Sequence, residues 1–150
     1  MMEERWNSRT ELLLGAEKIE KLARAHVLVA GLGGVGAYAA EQLCRAGIGK
    51  MTIVDGAQVM PSNRNRQLLA LKSTEGRRKA QLMAERLLDI NPDIELTIHD
   101  VFLKNELIDE IASHTYDYVV DAIDTLSPKV FFIIECLKNK LPLVSSMGAG

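Results

Sequence analysis

Short apolar runs alternate along the chain with longer stretches in which apolar residues recur every three or four positions. The short runs and one alternating segment predict β-strands at residues 27–30, 51–54, 95–99, 118–120 and 141–144. The helical spacing predicts α-helices at residues 16–24, 37–45, 77–90, 104–113 and 128–139. Because strands that alternate with helices are typical of an α/β fold, we expect a doubly wound, mostly parallel sheet with helices on both faces.

Length and composition indicate one domain with a substantial core. The chain has 150 residues, 47% of them hydrophobic, and its net charge of −2 provides no bulk attraction to nucleic acid or membrane. Cys44 and Cys136 fall in apolar helical patterns, so we expect reduced thiols in the core. The sequence has no long apolar run or signal peptide, and we expect a cytoplasmic protein. Because a doubly wound sheet commonly has six strands, we expect residues 1–150 to be the N-terminal portion of a domain whose C-terminal part is absent.

A glycine-rich turn joins the first predicted strand to the next helix. Gly31, Gly33 and Gly36 have the spacing G-x-G-x-x-G, with Gly34 as a fourth glycine. Main-chain N–H groups in such a turn can approach an anion closely, and the helix N-terminus adds partial positive charge. Asp55 ends the next apolar run, where a carboxylate can accept hydrogen bonds from ribose hydroxyls. This order of strand, turn, helix, strand and aspartate predicts a nucleotide site in a Rossmann-like fold.

A polar segment at residues 62–67 follows the second predicted strand closely, which puts it over the crevice at the strand ends. The guanidinium groups of Arg64 and Arg66 can bind phosphate oxygens bidentately, although a solvated basic loop is the alternative interpretation. Lys79 lies near the start of the next predicted helix, where the helix dipole gives no reason for a lysine and a bound phosphate would supply one. A surface lysine beside two arginines is the alternative for Lys79.

Two carboxylates follow the fourth predicted strand, and two arginines lie near the N-terminus. Asp121 and Asp124 stand at the end of that strand, where a carboxylate beside a triphosphate can hold Mg²⁺ through its water shell. We favour Asp124 for this role and expect Asp121 to orient neighbouring groups, with a helix N-cap as the alternative for both. Arg5 or Arg9 could reach the nucleotide of a partner subunit as an arginine finger, and a solvated N-terminal face is the alternative.

In their order along the chain these motifs resemble those of the E1-like adenylating enzymes, which include the activating proteins of molybdopterin and thiamine synthesis. The resemblance covers nearly the whole chain, and the combination is far more specific than any single motif. It implies an E1-type doubly wound fold that binds ATP with Mg²⁺ and forms a homodimer. The matching positions are Arg9, Gly31, Gly33, Gly34, Gly36, Asp55, Ser62, Asn63, Asn65, Arg66, Gln67, Gly76, Lys79, Asp121 and Asp124.

The resemblance also implies roles for these residues. Arg66, Lys79 and Asp124 would be catalytic, with Asp124 near Mg²⁺ and Arg9 reaching the nucleotide of the partner subunit. The chemistry implied is the activation of a carboxylate as an adenylate, which requires cations around the phosphates and little covalent chemistry from the protein. The nucleotide-binding positions implied are Gly31, Gly33, Gly34, Gly36, Asp55, Asn63, Asn65, Arg66, Gln67, Lys79, Asp121 and Asp124.

Within the family, the chain looks most like the branch that dehydrates threonylcarbamoyladenosine in tRNA. That branch uses ATP to activate the carboxylate of the modified nucleoside, and the loss of AMP then closes a cyclic ring. The resemblance therefore implies tRNA as the substrate-bearing partner. The cues are residues 63–67, 90–92 and 121–124, the pair Pro128 and Lys129, and residues 148–150.

Three other interpretations remain open at this point. An activator of a ubiquitin-like sulfur-carrier protein would share the adenylation step, with that carrier or a cysteine-desulfurase-linked protein as its partner. A nicotinamide-dependent dehydrogenase would share the glycine turn and Asp55, but it gives no reason for the combination of Arg66, Lys79 and Asp124. A binding scaffold without activity would share the fold alone.

Overall fold

A single five-stranded sheet forms the centre of the protein, whose computed structural model describes residues 3–147. The strands are β1 His26–Ala30, β2 Lys50–Val54, β3 Glu95–His99, β4 Tyr118–Asp121 and β5 Leu143–Ser145. They lie in the order β3-β2-β1-β4-β5, and each strand pairs with its neighbour in parallel. The connections change direction between β1 and β4, and this is the position at which open α/β sheets bind their ligands.

Helices cover both faces of this sheet. Within residues 3–147 the α-helices are α1 Ser8–Leu14, α2 Ala16–Arg24, α3 Gly36–Ala46, α4 Lys79–Ile90, α5 Asn105–Ala112 and α6 Leu126–Lys138. Helices α3 and α4 pack together on one face, and α5 and α6 pack together on the other. None of the helices in this part of the chain combines the length and the apolar character needed to span a membrane.

Alternate residues of β1 point into two separate cores. Val29 packs with residues of α3 and α4, including Ala40 and Met83, whereas Leu28 packs with α5 and α6 against Phe132. A strand buried on both faces needs a continuous apolar run, which is what residues 27–30 provide. The predicted α/β fold with a doubly wound parallel sheet is therefore confirmed. The cysteines also behave as predicted, since both are free and buried, Cys44 in the first core and Cys136 in the second.

Some predicted boundaries are wrong by about two residues. Helix α4 begins at Lys79 rather than at residue 77, because Arg78 is extended (φ −70°, ψ 130°) and forms a β-bridge with Gln58. Helix α6 begins at Leu126, before Pro128, and β5 begins only at Leu143. The polar segment after β2, expected to be irregular, contains a short 3₁₀ helix at Pro61–Asn65.

Helix α1 is absent from the sequence prediction. None of its residues is buried, and Leu12 and Leu13 are 80% and 83% exposed. Because the helix buries no face, its sequence lacks the spacing of apolar residues that identifies an amphipathic helix. It packs mainly along α2, from which Gly15 separates it with a φ of +87°.

Candidate functional site

A cavity of about 700 Å³ opens at the carboxyl ends of the central strands. Its floor is the glycine turn after β1, and two facing groups of side chains form its sides. We call Arg66, Gln67 and Lys79 the cationic wall, and residues 122–125 the acidic wall. A third, mainly apolar side consists of residues 101–104, which follow β3. The predicted site residues that line the cavity are Gly31, Gly33, Gly34, Asp55, Arg66, Gln67, Lys79 and Asp124.

The glycines of the turn serve two purposes. A Cβ atom on Gly31 would lie 2.5 Å from the carbonyl oxygen of Ala122, and one on Gly36 would lie 1.6 Å from the carbonyl oxygen of Gly31. Gly31 also has a φ of +96°, which other residues rarely adopt. These two glycines allow the main chain to pack closely, whereas Gly33 and Gly34 face the side chains of Gln67 and Arg66 across the cavity floor. Gly36 does not itself line the cavity.

The carboxylate of Asp55 is held in a fixed orientation beside the glycine turn. Its Oδ2 accepts a hydrogen bond of 2.8 Å from the main-chain N–H of Leu32, and its Oδ1 accepts one of 2.7 Å from the N–H of Ala57. An ionised carboxylate has about four acceptor sites, so both oxygens retain capacity to accept a hydroxyl from a ligand. The geometry therefore suits recognition of the two hydroxyls of a ribose.

Lys79 is a buried cation at the cavity surface. Only 7% of the residue is exposed, and within residues 3–147 no carboxylate oxygen lies within 4 Å of its ammonium group. Its main-chain N–H donates to the carbonyl oxygen of Ala57 over 3.0 Å, which ties the start of α4 to the residues after Asp55. A buried charge is costly unless it is paired. The site therefore favours an anionic ligand next to Lys79.

Arg66 and Gln67 complete the cationic wall. The Arg66 guanidinium donates through Nη1 to the carbonyl oxygen of Ser62 over 3.2 Å and to Oδ1 of Asn65 over 2.8 Å. These bonds use one nitrogen and leave the remaining N–H groups available to a ligand. The side-chain oxygen of Gln67 is buried and accepts no hydrogen bond from any residue in the described part of the chain. Both features fit a polar ligand in the cavity.

Three other polar residues of this segment do not line the cavity, so their predicted contacts with the ligand stay predictions. Asn63 accepts a hydrogen bond of 2.8 Å from the N–H of Met60 and so caps the 3₁₀ helix. Asn65 holds the Arg66 guanidinium, and Arg64 is turned toward Glu75, with 3.3 Å between Nε and Oε1. These three residues lie within the 3₁₀ helix, whereas Arg66 and Gln67, which line the cavity, follow its end.

The two aspartates after β4 differ sharply in their surroundings. Asp121 is fully buried, and its Oδ2 lies 2.8 Å from the Lys129 ammonium and accepts a 2.6 Å hydrogen bond from the Ser145 hydroxyl. Asp121 does not line the cavity, and its predicted contact with the nucleotide stays a prediction. Asp124 is exposed at the cavity rim. Neither aspartate caps α6, whose N-cap residue is Thr125.

The donor set at the rim fits Mg²⁺ that arrives with a nucleotide. Among residues 3–147, no three His, Cys, Asp or Glu side chains are grouped so that they could hold a metal ion on their own. Mg²⁺ commonly keeps several waters and binds through one or two carboxylates together with substrate phosphates. Asp124 supplies one such carboxylate, opposite the cationic wall.

Arg9 lies away from this cavity. It is an exposed residue of α1, and it does not line the cavity of its own chain. Its contact with the nucleotide of a second subunit stays a prediction.

Two functional features escaped the sequence prediction. The apolar side of the cavity includes Phe102, which packs so closely over Gly56 that a Cβ there would lie 2.4 Å from the Phe102 nitrogen. Its position directly after a predicted strand could have indicated it, since the carboxyl ends of parallel strands meet at one edge of the sheet. The second feature is Lys129, a buried lysine in the first turns of α6, where the helix dipole disfavours a cation.

The chain is similar in sequence and fold to known proteins. The sequence profile of the ThiF family matches residues 7–150. The tRNA threonylcarbamoyladenosine dehydratase of Escherichia coli (strain K12) is 43% identical over 148 residues, which are 97% of this chain and 55% of that protein. The enzyme of the same name from Bacillus subtilis (strain 168) is 46% identical over 142 residues, which are 95% of this chain and 56% of that protein. The chain thus spans slightly more than half the length of these curated relatives.

A solved structure extends the comparison to the fold. The crystal structure of the E. coli tRNA N6-threonylcarbamoyladenosine dehydratase in complex with ATP superposes with a TM-score of 0.92 at 42% identity. The superposition covers 100% of this chain and 63% of that chain. Residues 148–150, whose glycines contributed to the sequence resemblance, lie outside the residues that the structure describes.

Proposed function

The chain belongs to the ThiF family, and we propose that it serves the ATP-dependent activation of a carboxylate by adenylation, most specifically the dehydration of threonylcarbamoyladenosine in tRNA. The relatives at 43% and 46% identity carry the name of that dehydratase. The sulfur carrier protein ThiS adenylyltransferase of E. coli is 33% identical over 131 residues, 87% of this chain and 52% of that protein. The difference in identity favours the tRNA substrate over a sulfur-carrier protein or a partner linked to a cysteine desulfurase.

The observation that carries this proposal is Lys79. A lysine that is 7% exposed, lines a cavity and has no acidic partner in the described part of the chain calls for an anion. Gly33, Gly34 and Val35, which lead into α3, line the same cavity, and phosphate groups bind at such helix N-termini. Asp55 lines the same cavity and would accept hydrogen bonds from the ribose hydroxyls. Together these groups match a nucleoside phosphate better than any neutral ligand.

Adenylation of a carboxylate mainly requires stabilisation of the negative charge on the phosphates. A carboxylate oxygen of the substrate forms a bond to the α-phosphorus of ATP, and the bond to the pyrophosphate oxygen breaks. Negative charge builds up on the phosphates during this exchange, and Arg66 and Lys79, which line the cavity, would neutralise it. Asp124 would hold Mg²⁺, which supplies further positive charge to the phosphates when it is bound. In the second step a ureido nitrogen of the same nucleoside forms a bond to the acyl carbon, the bond from that carbon to the AMP oxygen breaks, and the nitrogen loses its proton to solvent as the ring closes.

We further propose that the working unit is a homodimer in the cytoplasm. Arg9 is exposed on α1 together with Leu12 and Leu13, and it does not line the cavity of its own chain. A helix that buries none of its own apolar residues is suited to packing against a second subunit. From there Arg9 would add a cation to the partner's nucleotide as an arginine finger does.

The decisive experiment measures AMP release from ATP with threonylcarbamoylated tRNA or with sulfur-carrier proteins as the acceptor. We expect AMP release with the modified tRNA, and its loss in Arg66→Ala and Asp124→Ala variants that remain folded. Arg77→Ala is a matched control. Arg77 is an arginine two residues before Lys79, but it pairs with Glu85 over 2.6 Å and does not line the cavity. Release that depends on a sulfur carrier instead of tRNA would overturn the proposed substrate. Unchanged release in both cavity variants would overturn the site.

A further inference from the structure

Lys129 and Asp121 form a buried ion pair directly behind the acidic wall. The ammonium nitrogen of Lys129 lies 2.8 Å from Oδ2 of Asp121, and the two side chains are 7% and 0% exposed. The same nitrogen donates to the carbonyl oxygen of Ile123 over 2.8 Å. Neither residue lines the cavity, and the mechanism proposed above gives neither of them a chemical step.

The ion pair holds the main chain of the acidic wall from behind. Oδ1 of Asp121 accepts a hydrogen bond of 3.2 Å from the N–H of Ile123, so Asp121 and Lys129 together bind both the N–H and the carbonyl of that residue. On the other side the wall is fixed to the sheet, because the N–H of Ala122 donates to the carbonyl oxygen of Ala30 over 2.8 Å. The next residue along the chain is Asp124, which is exposed at the rim.

The same pair also connects the neighbouring strand to the cavity. The Ser145 hydroxyl donates to Oδ2 of Asp121 over 2.6 Å, and the N–H of Ser146, which lines the cavity, donates to the carbonyl oxygen of Asp121 over 2.9 Å. Asp121 therefore joins two adjacent parts of the cavity, and Lys129 pairs with its carboxylate and binds the main chain of one of them. A buried ion pair is weak support for stability in itself, and its hydrogen bonds to the Ile123 main chain point to a positioning role.

We propose that Lys129 is a positioning residue that sets the affinity of the cavity for nucleotide-bound Mg²⁺, because it fixes through Asp121 and Ile123 the main chain that carries Asp124. This inference rests on the proposed function, in which Asp124 is the carboxylate nearest the metal. Residues that orient a metal ligand from behind typically change metal affinity by about 10–100-fold when they are altered. We expect a loss of this size when Lys129 is replaced.

The test compares the binding of ATP in excess Mg²⁺ with the binding of ATP in EDTA, each measured by titration calorimetry. Lys129→Met should raise the Kd of MgATP roughly 10–100-fold and leave the Kd of metal-free ATP within about twofold. Lys129→Arg, which preserves the charge, should recover most of the loss. Lys138→Met is the matched control, because it removes an exposed lysine of the same helix that pairs with Glu135 over 3.2 Å.

A double-mutant cycle shows whether Lys129 acts through Asp124. Asp124→Asn alone should weaken MgATP binding selectively, and adding Lys129→Met should weaken it little further, since residues that act as one unit are not additive. Lys129→Met could leave Asp121 buried without a partner and unfold the chain, so Lys129→Met combined with Asp121→Asn, which removes both charges, provides a folded alternative. Full additivity, or a normal Kd for MgATP in that charge-free variant, would overturn the inference.

Hydrogen exchange without nucleotide separates this inference from the proposed function. Loss of Lys129 should accelerate exchange at the N–H of Ile123 and leave exchange in β2 unchanged. If the wild-type chain binds no MgATP, the proposed function is wrong, and so is the metal-affinity role that rests on it, whatever the exchange result. If the wild-type chain binds MgATP and the Lys129 variants match it in both measurements, only the role of Lys129 is wrong.

Discussion

The two walls of the cavity are held in place by different kinds of interaction. The segment that carries the cationic wall is connected by ion pairs at the surface, where the arginines Arg64, Arg77 and Arg78 are 45–48% exposed in their side chains. The acidic wall is held by one ion pair, Lys129 with Asp121, whose side chains are almost completely buried. Exposed ion pairs typically contribute about 0–1 kcal/mol, whereas breaking a buried pair costs about 3–5 kcal/mol.

This difference indicates that the charges of the two walls have different roles. Two basic side chains that line the cavity, those of Arg66 and Lys79, have no carboxylate partner among residues 3–147. The charges behind the acidic wall neutralise each other and hold the main chain. Substitutions in the cationic wall should therefore reduce ligand affinity, whereas substitutions in the ion pair behind the acidic wall should reduce the free energy of unfolding.

The largest loss of stability should follow Asp121→Asn. The substitution leaves the Lys129 ammonium buried without a carboxylate, so we expect the free energy of unfolding to fall by about 3–5 kcal/mol. Urea unfolding monitored by circular dichroism measures the change. Glu135→Gln, which removes the exposed partner of Lys138, is the control and should change the free energy of unfolding by less than about 1 kcal/mol. A loss of that small size for Asp121→Asn would show that the buried pair does not behave as described.

Lys79→Met should reduce ligand affinity without reducing the free energy of unfolding. It removes a buried charge that has no acidic partner in the described chain, so the free energy of unfolding without nucleotide should stay the same or rise. The affinity for ATP should fall at least about 30-fold, since a charge that pairs with a buried ligand charge is lost. Calorimetric titration and urea unfolding of the same sample test both parts. A drop in stability together with normal ATP affinity would show that Lys79 is structural.

The buried thiols of the two cores should both reduce the stability of the protein at alkaline pH. Burial raises the pKa of the Cys136 thiol from 9.0 to about 12, with a further contribution from Asp121, and burial raises the pKa of Cys44 from 9.0 to about 11. In the unfolded chain these thiols release their protons from about pH 9 upward, so stability should fall as the pH rises above 9 and should be unaffected by these groups below it.

Replacing one thiol tests this linkage. In Cys136→Ala, the decrease in the free energy of unfolding above pH 9 should be less steep by about 1.4 kcal/mol per pH unit. Denaturant unfolding at several pH values between 8 and 11 gives the slope. An identical slope in the variant would mean that the Cys136 thiol ionises in the folded protein as readily as in the unfolded chain.

The smallest effect should follow Arg77→Ala. The side chain is 48% exposed and pairs with Glu85 at the surface, so the free energy of unfolding should change by less than about 1 kcal/mol. ATP affinity should be unchanged, because Arg77 does not line the cavity. A clear loss of ATP affinity in this variant would show that the cationic wall extends beyond Arg66, Gln67 and Lys79.

Much of the cavity could be predicted from the sequence because its parts follow the rules of one fold. The glycine turn and Asp55 directly follow buried strands, and the carboxyl ends of parallel strands meet at one edge of the sheet. Lys79 was identified because a lysine at a helix start is electrostatically unfavourable without an anion. These inferences need only local sequence and the order of the strands.

The remaining features depend on side-chain directions that a sequence does not reveal. Arg64 and Arg66 are both arginines of the same polar segment. Arg64 is turned to Glu75, whereas Arg66 lines the cavity. Asp121 and Asp124 are three residues apart, and only the packing of Lys129 distinguishes the buried carboxylate from the exposed one. Helix α1 left no periodic pattern, because it buries no side chain of its own chain.

We propose that this cavity binds a nucleoside triphosphate through Lys79, Arg66 and the glycine turn. Calorimetric titration of the wild-type chain with MgATP and, separately, with NAD tests this binding. We expect saturable binding of MgATP that Lys79→Met weakens strongly, and much weaker binding of NAD. Tighter binding of NAD, or MgATP binding that is the same in the Lys79→Met variant, would contradict it.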